Sequence, residues 1–360
     1  MSLLFKAQKI LGPLLDPASK AYSAMMSCRA AKYARGEYEQ FRPACPCISV
    51  GNIGSGGSGK TPLSGWLLNW AKEQGHVAVL LTRGYGARPS ALPYLVGPHS
   101  PVGEAGDEPL MLAMENPEAR IVVDPVRKRS GAWATDEFKP DLMLLDDGFQ
   151  HMAVKRDLDF VLLTPDDFTQ GWDRVIPRGT WREGADALFR ADVFFVKCTP
   201  EYFRKINGLV KERLSRFGKP VFQFALQSKG LVRLGESERI EFGHGPYLLF
   251  SGIGKPEMFL EDAKIYMGQA PEDFLIFKDH HSYTAQDVET IRRRAAESGA
   301  KKIICTPKDA VKLAGMGCDD YYVIDLEVEF TEAVFFDDTK PVPFNKWWSL
   351  EKLDTNCGHS

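Results

Sequence analysis

Long hydrophobic runs and strong net charge are both missing from this chain of 360 residues. No apolar run approaches the roughly 18 residues that a membrane-spanning helix requires. The formal net charge at pH 7 is only -3, so the composition gives no indication of nucleic-acid binding. The 7 cysteines are scattered, and Cys45 and Cys47 have no second pair at zinc-binding spacing. The sequence therefore predicts reduced thiols in a globular protein that is long enough for two domains.

The chain does contain one uninterrupted phosphate-binding pattern, G-x-x-x-x-G-K-[ST]. Its residues are Gly54, Ser55, Gly56, Gly57, Ser58, Gly59, Lys60 and Thr61. Glycines let backbone amides turn toward a polyphosphate, Lys60 places a charge on the phosphates, and the Thr61 hydroxyl suits Mg²⁺. An apolar run precedes the loop and apolar residues at helical spacing follow it. This context favours a nucleotide site over a chance match in a Gly/Ser-rich linker.

Alternating apolar runs and helical stretches predict a mostly parallel α/β sheet of the P-loop NTPase type. The predicted strands are residues 47–50, 77–82, 120–123, 142–145, 160–163 and 193–196, and, in a second series, 247–250, 274–277, 302–305 and 321–324. The pattern weakens between residues 230 and 245, and a domain boundary is expected near Gln227. We therefore expect an N-terminal segment (1–40), a P-loop core (41–227), a smaller α/β domain (228–330) and a tail (331–360) that returns to the core.

The N-terminal segment carries an apolar stripe among basic residues. The apolar residues are Leu3, Leu4, Phe5, Ile10, Leu11, Leu14 and Leu15, and the basic ones are Lys6, Lys9, Lys20, Arg29, Lys32 and Arg35. Pro13 and Pro17 are expected to interrupt the stripe. Such a segment can lie on an anionic membrane surface or can pack on the protein itself, and the residues alone do not decide between the two.

Two pairs of adjacent carboxylates are candidates for metal and acid–base chemistry. Asp146 and Asp147 end an apolar strand, as in the Walker B strands that deliver an Asp to magnesium. Gln150 and His151 follow them at the edge of the sheet where ligands bind. Asp107 and Glu108 precede an apolar helix, where acidic residues also serve simply as a helix start. A phosphotransferase needs one carboxylate as a base and others near Mg²⁺.

Arginine and histidine residues supply further candidates. Arg83 follows a predicted strand, and Arg174, Arg178 and Arg182 cluster in a segment without periodicity. Guanidinium groups suit phosphates, although a solvated loop has the same composition. His280 lies between Asp279 and His281 after another predicted strand, where an Asp–His pair can orient a base. A surface location explains such a histidine equally well.

Taken together, these motifs resemble the tetraacyldisaccharide 4′-kinase family, the lipid A 4′-kinases. The resemblance runs in order through S-V-G-N-I (49–53), G-K-T-P (59–62), R-G-Y-G (83–86), G-E-A-G-D-E-P (103–109), L-D-D-G-F-Q-H (145–151), S-G-I-G-K-P-E-M-F (251–259), D-H-H-S-Y-T (279–284) and K-D-A-V-K (308–312). The chain departs from the family at Pro307, where the family usually has Glu, and around Arg182, which still aligns.

The resemblance implies transfer of the ATP γ-phosphoryl group to the 4′-hydroxyl of a tetraacyldisaccharide 1-phosphate, with Mg²⁺ as cofactor. It also implies a P-loop core joined by a β-stranded linker to the smaller domain, and a monomer docked on the cytoplasmic face of the inner membrane by its N-terminal helix. The implied roles are a base for Asp107 with His280 as its partner, Mg²⁺ association for Thr61, Glu108, Asp146 and Asp147, and positive charge from Lys60, Arg83 and Arg182. Gln150 and His151 lie close by.

Two other classes compete with this interpretation. The first is another P-loop enzyme, for instance a GTPase or an amide-forming ligase. A GTPase should carry Asn/Thr-Lys-x-Asp for guanine, whereas Lys308 and Asp309 are adjacent here. A nucleotide-binding regulator on a membrane would need no base for an acceptor hydroxyl, so the acidic pair at Asp107 disfavours it.

Overall fold

The computed structural model describes residues 3–55, 57–236, 238–241, 243 and 245–348, without the side chains of residues 3–11 and 13. The helices are α1 (Leu3–Ala34), α2 (Lys60–Glu73), α3 (Val102–Ala105), α4 (Asp107–Glu115), α5 (Arg127–Phe138), α6 (Pro165–Phe168), α7 (Pro200–Leu214), α8 (Pro256–Met267), α9 (Ala285–Ser298), α10 (Pro307–Ala310) and α11 (Phe344–Trp347). The strands are β1 (Cys47–Asn52), β2 (Ala78–Thr82), β3 (Tyr94–Val96), β4 (Arg120–Val123), β5 (Leu142–Asp146), β6 (Leu158–Leu163), β7 (Val193–Lys197), β8 (Val221–Arg233), β9 (Arg239–Ile240), β10 (Tyr247–Ser251), β11 (Asp273–Ile276), β12 (Lys302–Cys305) and β13 (Tyr322–Val334).

One 13-stranded sheet runs through the molecule in the order β11-β10-β12-β13-β8-β7-β6-β1-β5-β2-β4-β3, with β9 paired to β8. The pairs β8–β13, β3–β4 and β8–β9 are antiparallel, and the other neighbours are parallel. Strands such as β1, β2, β5 and β6 are buried along their whole length, as expected for parallel strands covered on both faces. The prediction of a mostly parallel α/β sheet is confirmed.

The long antiparallel pair β8–β13 connects the two strand series. Each strand has 13 residues. In β8, Phe222 and Phe224 belong to the core around α2, whereas Leu231 belongs to a separate cluster with β10 and β12. The middle of β8 is partly exposed between these two cores. The expected boundary at Gln227 falls in this exposed middle, and the division into residues 41–227 and 228–330 stays a prediction.

Most predicted strands are confirmed within two residues at either end, and β4 and β12 have the predicted bounds. The last predicted strand, residues 321–324, is only the start of β13, which continues to Val334. Strands β3, β8 and β9 were not predicted. The prediction of little regular structure between residues 230 and 245 is partly confirmed, because β8 ends at Arg233 and β9 has only two residues.

Helix α1 is continuous over 32 residues. The expectation that Pro13 and Pro17 interrupt this segment is wrong, because a proline removes one backbone hydrogen bond without preventing the chain from staying helical. The second half of α1 packs on the protein: Met26 is buried, the Ser19 hydroxyl accepts from the Arg178 backbone N–H at 3.1 Å, and Arg29 donates to the Gln150 carbonyl at 3.3 Å. In the described part of the chain, no helix is long and apolar enough to cross a membrane.

The C-terminal segment returns to the first core as far as the structure describes it. Phe344 and Trp348 are buried in the same cluster as Phe195 and Phe222. The rings of Phe344 and Phe195 have centroids 4.8 Å apart, so α11 is fixed against the sheet by aromatic packing. Residues 349–360 of the predicted tail lie outside the described residues.

Candidate active site

The phosphate-binding loop lies at the carboxyl end of β1, between β5 and β6, and leads into α2. Gly59 precedes α2 with a φ of 92°, which a residue with a side chain rarely adopts. A Cβ atom there would also lie 2.8 Å from the Phe224 ring and 3.0 Å from the Lys197 side chain. Glycine is therefore required at this position. The arrangement of strand, loop and helix is as predicted, although Gly56 lies outside the described residues.

The two reactive side chains of the loop are already engaged by neighbouring polar groups. Lys60 Nζ donates to Asn52 Oδ1 at 3.2 Å and lies 3.5 Å from Asp147 Oδ1. Thr61 Oγ1 donates to Glu108 Oε2 at 2.8 Å. The predicted metal-associated residues Glu108 and Asp147 therefore contact adjacent residues of the loop from two different elements.

Asp146 ends β5 and is almost completely buried. Burial, and then the charge of Glu108, raise the pKa of its carboxyl group to about 6. Its Oδ2 accepts a hydrogen bond from Thr82 Oγ1 at 3.0 Å, whereas its buried Oδ1 has no hydrogen-bond partner among the described residues. An unpaired carboxylate oxygen at this position is available to a cation.

Asp147, the next residue, has the opposite electrostatic environment. Burial would raise the pKa of its carboxyl group, but the charges of Lys60 and Arg182 outweigh it and hold the pKa below its usual value. Arg182 Nη1 donates to Asp147 Oδ2 at 2.8 Å and to Gln150 Oε1 at 3.2 Å. The pKa values of the two adjacent aspartates are thus shifted in opposite directions, and Asp147 is the one that stays ionised more readily.

Arg127 lies beneath this pair and was not identified from the sequence. Its side chain is fully buried, and its Nη1 donates to the backbone carbonyls of Asp146 at 2.5 Å and Asp147 at 3.2 Å. Burial lowers the pKa of its guanidinium group to about 10, so the group stays charged. Arg127 begins α5 beside two other basic residues, and composition alone gives no way to distinguish it from a solvated helix start.

Glu108 connects the loop to the second strand series. It accepts from Thr61, and Lys308 of α10 forms an ion pair with its Oε1. Burial raises the pKa of the Glu108 carboxyl group, but Lys308 and the Thr61 hydrogen bond outweigh that effect and lower it. The K-D-A-V-K motif is part of the family resemblance described above, but the sequence predicted no role for Lys308. Its pairing with Glu108 also argues against a guanine-binding function for this motif.

Asp107 and His280 are brought together as predicted, although 173 positions separate them in the sequence. His280 Nδ1 lies 3.0 Å from Asp107 Oδ2. His280 has a φ of 56°, and its backbone N–H donates to the Gly252 carbonyl at 3.1 Å. Its side chain is 45% exposed and that of Asp107 is 15% exposed, so the pair faces an open region beside the loop.

Gln150 and His151 follow the carboxyl end of β5, the strand that pairs with β1. The Gln150 side-chain amide donates to the Asn52 carbonyl at 3.0 Å, which ties it to the end of β1. Burial, and then the surrounding arginines led by Arg127, lower the pKa of the His151 imidazole to about 3. His151 is therefore a neutral group at physiological pH.

The predicted arginines have different surroundings. Arg182 contacts Asp147, as described, and its backbone N–H donates to the Ile53 carbonyl at 2.7 Å. Arg83 is exposed and makes no hydrogen bond or ion pair with another described residue. Arg178 forms an ion pair with Asp16 of α1. Among these arginines, Arg182 alone has a described contact with the carboxylates of the loop region.

The oxygen donors around the loop fit a magnesium ion that also binds a nucleotide. No group of three or more His, Cys, Asp or Glu side chains in the described ranges is arranged to hold a metal by itself. Mg²⁺ commonly takes only one or two carboxylates and completes its shell with phosphates and water. Thr61, Glu108, Asp147 and the unpaired oxygen of Asp146 provide such a hard, partial donor set.

A mostly parallel sheet with this loop between β1 and α2, and with carboxylates around it, defines a P-loop protein that binds a nucleotide. The family model described as tetraacyldisaccharide-1-P 4′-kinase matches residues 11–339. The chain therefore belongs to the tetraacyldisaccharide 4′-kinase family, as its motifs indicated.

Individual relatives agree with the family assignment. The chain is 48% identical over 342 residues to the tetraacyldisaccharide 4′-kinase of Nitratidesulfovibrio vulgaris, covering 95% of this chain and 94% of that protein. It is 32% identical to the enzyme of the same name from Bdellovibrio bacteriovorus, covering 89% and 94%. A crystal structure of LpxK from Aquifex aeolicus in complex with ATP has a TM-score of 0.74 and 27% identity, covering 96% of this chain and 98% of that one.

Proposed function

We propose that this kinase transfers the γ-phosphoryl group of ATP to the 4′-hydroxyl of a tetraacyldisaccharide 1-phosphate and so forms lipid IVA. The proposal follows from the family of the chain and from the ATP complex of its structural relative. The observation that carries it in this chain is the adjacency of Asp107 and Glu108. Glu108 binds Thr61 of the phosphate loop, while Asp107 faces His280. The proposed base for the acceptor, Asp107, is therefore adjacent in sequence to a residue that contacts the phosphate-binding loop.

Asp107 is the general base in this proposal. A hydroxyl group attacks phosphorus more readily when a positioned carboxylate accepts its proton in the transition state. His280, at 3.0 Å from Asp107 Oδ2, orients the carboxylate and helps to relay the proton. Because Asp107 begins α4 and His280 follows β11, the pair depends on the relative placement of the two strand series.

Lys60 and Arg182 supply positive charge to the transferring phosphoryl group, whose oxygens share the developing negative charge. In the structure both cations contact Asp147, which holds them at the carboxyl ends of β1 and β5. The backbone of residues 54–61 cradles the phosphates, and Arg83 is a further phosphate contact. Gln150 and His151 support this edge of the site as neutral polar groups.

Magnesium is the proposed metal cofactor, held by Thr61, Glu108, Asp146 and Asp147 together with the nucleotide. Bound Mg²⁺ neutralises phosphate charge and orients the β- and γ-phosphates. The chain's own contribution is the unpaired Asp146 oxygen and the ionised Asp147 carboxylate. Glu108 accepts a hydrogen bond from the Thr61 hydroxyl and forms an ion pair with the Lys308 ammonium group.

We also propose that the protein binds peripherally to the cytoplasmic face of the inner membrane through the start of α1. Residues 16–29 of this helix contact the protein, whereas Leu14 is 77% exposed. Basic residues flank the apolar stripe, and anionic headgroups attract such a segment. The Arg29 contact with Gln150 supports this proposal, because it ties the helix to a residue next to the proposed site.

Mass spectrometry of the lipid product tests the proposed reaction. Wild-type protein incubated with Mg-ATP and tetraacyldisaccharide 1-phosphate in detergent should add one phosphate, and fragmentation should place it at the 4′ position. Lys60→Met should form no product. Lys72→Met is a matched control, because Lys72 lies on the exposed far end of the same helix. ATP hydrolysis without a phosphorylated lipid, or phosphate at another position, would refute the proposal.

A further inference from the structure

The K-D-A-V-K motif contains a lysine, Lys312, whose ammonium group lies next to the proposed base, Asp107. Its Nζ is 3.5 Å from Asp107 Oδ2, the same oxygen that faces His280 Nδ1 at 3.0 Å. The other neighbour of the ammonium group is Asp309, whose Oδ1 lies 3.1 Å away. The Lys312 side chain is only 5% exposed. A buried cation therefore bridges the base and a second carboxylate.

Asp309 is itself rigidly held, so it can fix the position of Lys312. It is fully buried, and its Oδ2 accepts from the Gly252 backbone N–H at 3.1 Å and from Thr306 Oγ1 at 2.7 Å. The ring centroid of Tyr283 lies 5.5 Å from Lys312 Nζ and covers the ammonium group from another side. A side chain with this many constraints loses little further freedom when it contacts Asp107.

We propose, on the basis of the function proposed above, that Lys312 is a positioning residue for Asp107. Its ammonium group, anchored by Asp309, holds the Asp107 carboxylate in the orientation that faces His280 and the acceptor hydroxyl. Removal of this neighbouring positive charge leaves the orientation of the carboxylate less restricted.

Lys308 and Lys312 contact different carboxylates, so the role of Lys312 is more than to hold the two strand series together. Lys308 pairs with Glu108 on the loop side, whereas Lys312 pairs with Asp107 on the acceptor side. Two lysines of one motif thus meet two adjacent carboxylates of another, and each carboxylate has its own cation. The Lys308–Glu108 pair already connects the two halves, which leaves Lys312 to act on the base.

Lys312 is the buried cation that contacts Asp107. The groups that face Asp107 or Lys312 from the packed elements are His280, Glu108 with its partner Lys308, Asp309 and the Tyr283 ring. Loss of Lys312 should leave the Asp107 carboxylate without its buried support, so the chemical step should slow while ATP binding is kept.

The experiment compares Lys312→Met with Lys312→Arg, Asp309→Asn and the control Lys301→Met, in the full-length protein. Lys301 is exposed next to β12 and has no described side-chain contact with the site. For Lys312→Met we expect a loss in kcat of about 10- to 100-fold with little change in the KM for ATP. Lys312→Arg should recover part of kcat, and Asp309→Asn should change kcat in the same direction as Lys312→Met by a smaller factor.

The Kd for ATP supplies a measurement that does not depend on the lipid reaction. An unchanged Kd for ATP together with a lowered kcat, recovered in part by Lys312→Arg, supports the role of Lys312. Equal losses of kcat in the Met and Arg variants, or a loss of ATP binding that matches the loss of kcat, would show that Lys312 has a structural role only. If wild-type protein binds ATP but phosphorylates no disaccharide, the proposed function fails and so does the assignment of Asp107 as its base. Unchanged kcat in Lys312→Met would overturn the inference directly.

Discussion

Replacement of Asp146 by asparagine should stabilise the protein at neutral pH while impairing catalysis. The pKa of the buried carboxyl group is raised from 3.8 to about 6. A rise of roughly two units, at about 1.4 kcal/mol per unit, means that ionised Asp146 costs the folded protein about 3 kcal/mol. Asparagine is neutral at every pH and can still accept the hydrogen bond from Thr82.

The sign of the pH dependence follows from the raised pKa. Between about pH 4 and pH 6 the folded protein keeps a proton on Asp146 that the unfolded chain has lost, so the stability of the wild type falls as the pH rises. Above about pH 6 the full cost is present. The gain in Asp146→Asn should therefore be largest at pH 8 and should disappear near pH 4.

Urea unfolding at pH 5 and pH 8 measures this gain as a difference in the free energy of unfolding. Asp136→Asn is the matched control, because Asp136 is exposed on α5 and should respond little at either pH. We expect the Asp146 variant to gain about 2 to 3 kcal/mol at pH 8 and clearly less at pH 5. A gain that is equal at both pH values, or a loss of stability at pH 8, would refute the electrostatic account of this aspartate.

Three further predictions concern the loop, the N-terminal helix and His151. Lys60→Ala should nearly abolish turnover, because a cation on the transferring phosphoryl group is worth several kcal/mol; a variant that keeps more than about a tenth of wild-type kcat/KM would contradict this role. Removal of residues 2–12 should reduce sedimentation with anionic liposomes and should affect activity less in detergent; equal liposome binding would mean that this segment does not dock. Burial and neighbouring arginines hold the pKa of His151 at about 3, so the free energy of unfolding of the wild type should fall as the pH drops below 6.5. In urea titrations, the free energy of unfolding of His151→Gln should fall by about 1–2 kcal/mol less than that of the wild type between pH 7 and pH 5. Identical pH profiles of the two proteins would contradict this explanation.

The local features of the fold were readable from the sequence. The run of buried apolar residues in β1, the glycines of the loop and the helical spacing of α2 each follow from short-range patterns. The same holds for β5, whose apolar residues end in Asp146. Each of these elements is defined by residues within a few positions of one another, so a local sequence pattern is enough to predict it.

Contacts between distant parts of the chain were not readable in this way. Lys308 and Glu108 are 200 positions apart, and no periodicity relates them. Arg127 donates to the backbone carbonyls of Asp146 and Asp147, 19 and 20 positions away, and no sequence pattern relates it to them. Strand β8 escaped prediction because its two ends enter different cores and its middle is partly exposed, which obscures a single pattern. The Asp107–His280 pair was expected from the family resemblance, not from spacing.

The central claim is that Asp107 and His280 act together on the acceptor hydroxyl. A kinetic double-mutant cycle of Asp107→Ala and His280→Ala, measured at saturating ATP with the disaccharide acceptor, tests it most directly. Because the side chains lie 3.0 Å apart, the double mutant should lose less than the sum of the single losses, with a coupling energy of about 1–3 kcal/mol. Losses that add strictly, within about 0.3 kcal/mol, would mean that the two residues act independently and would contradict the dyad.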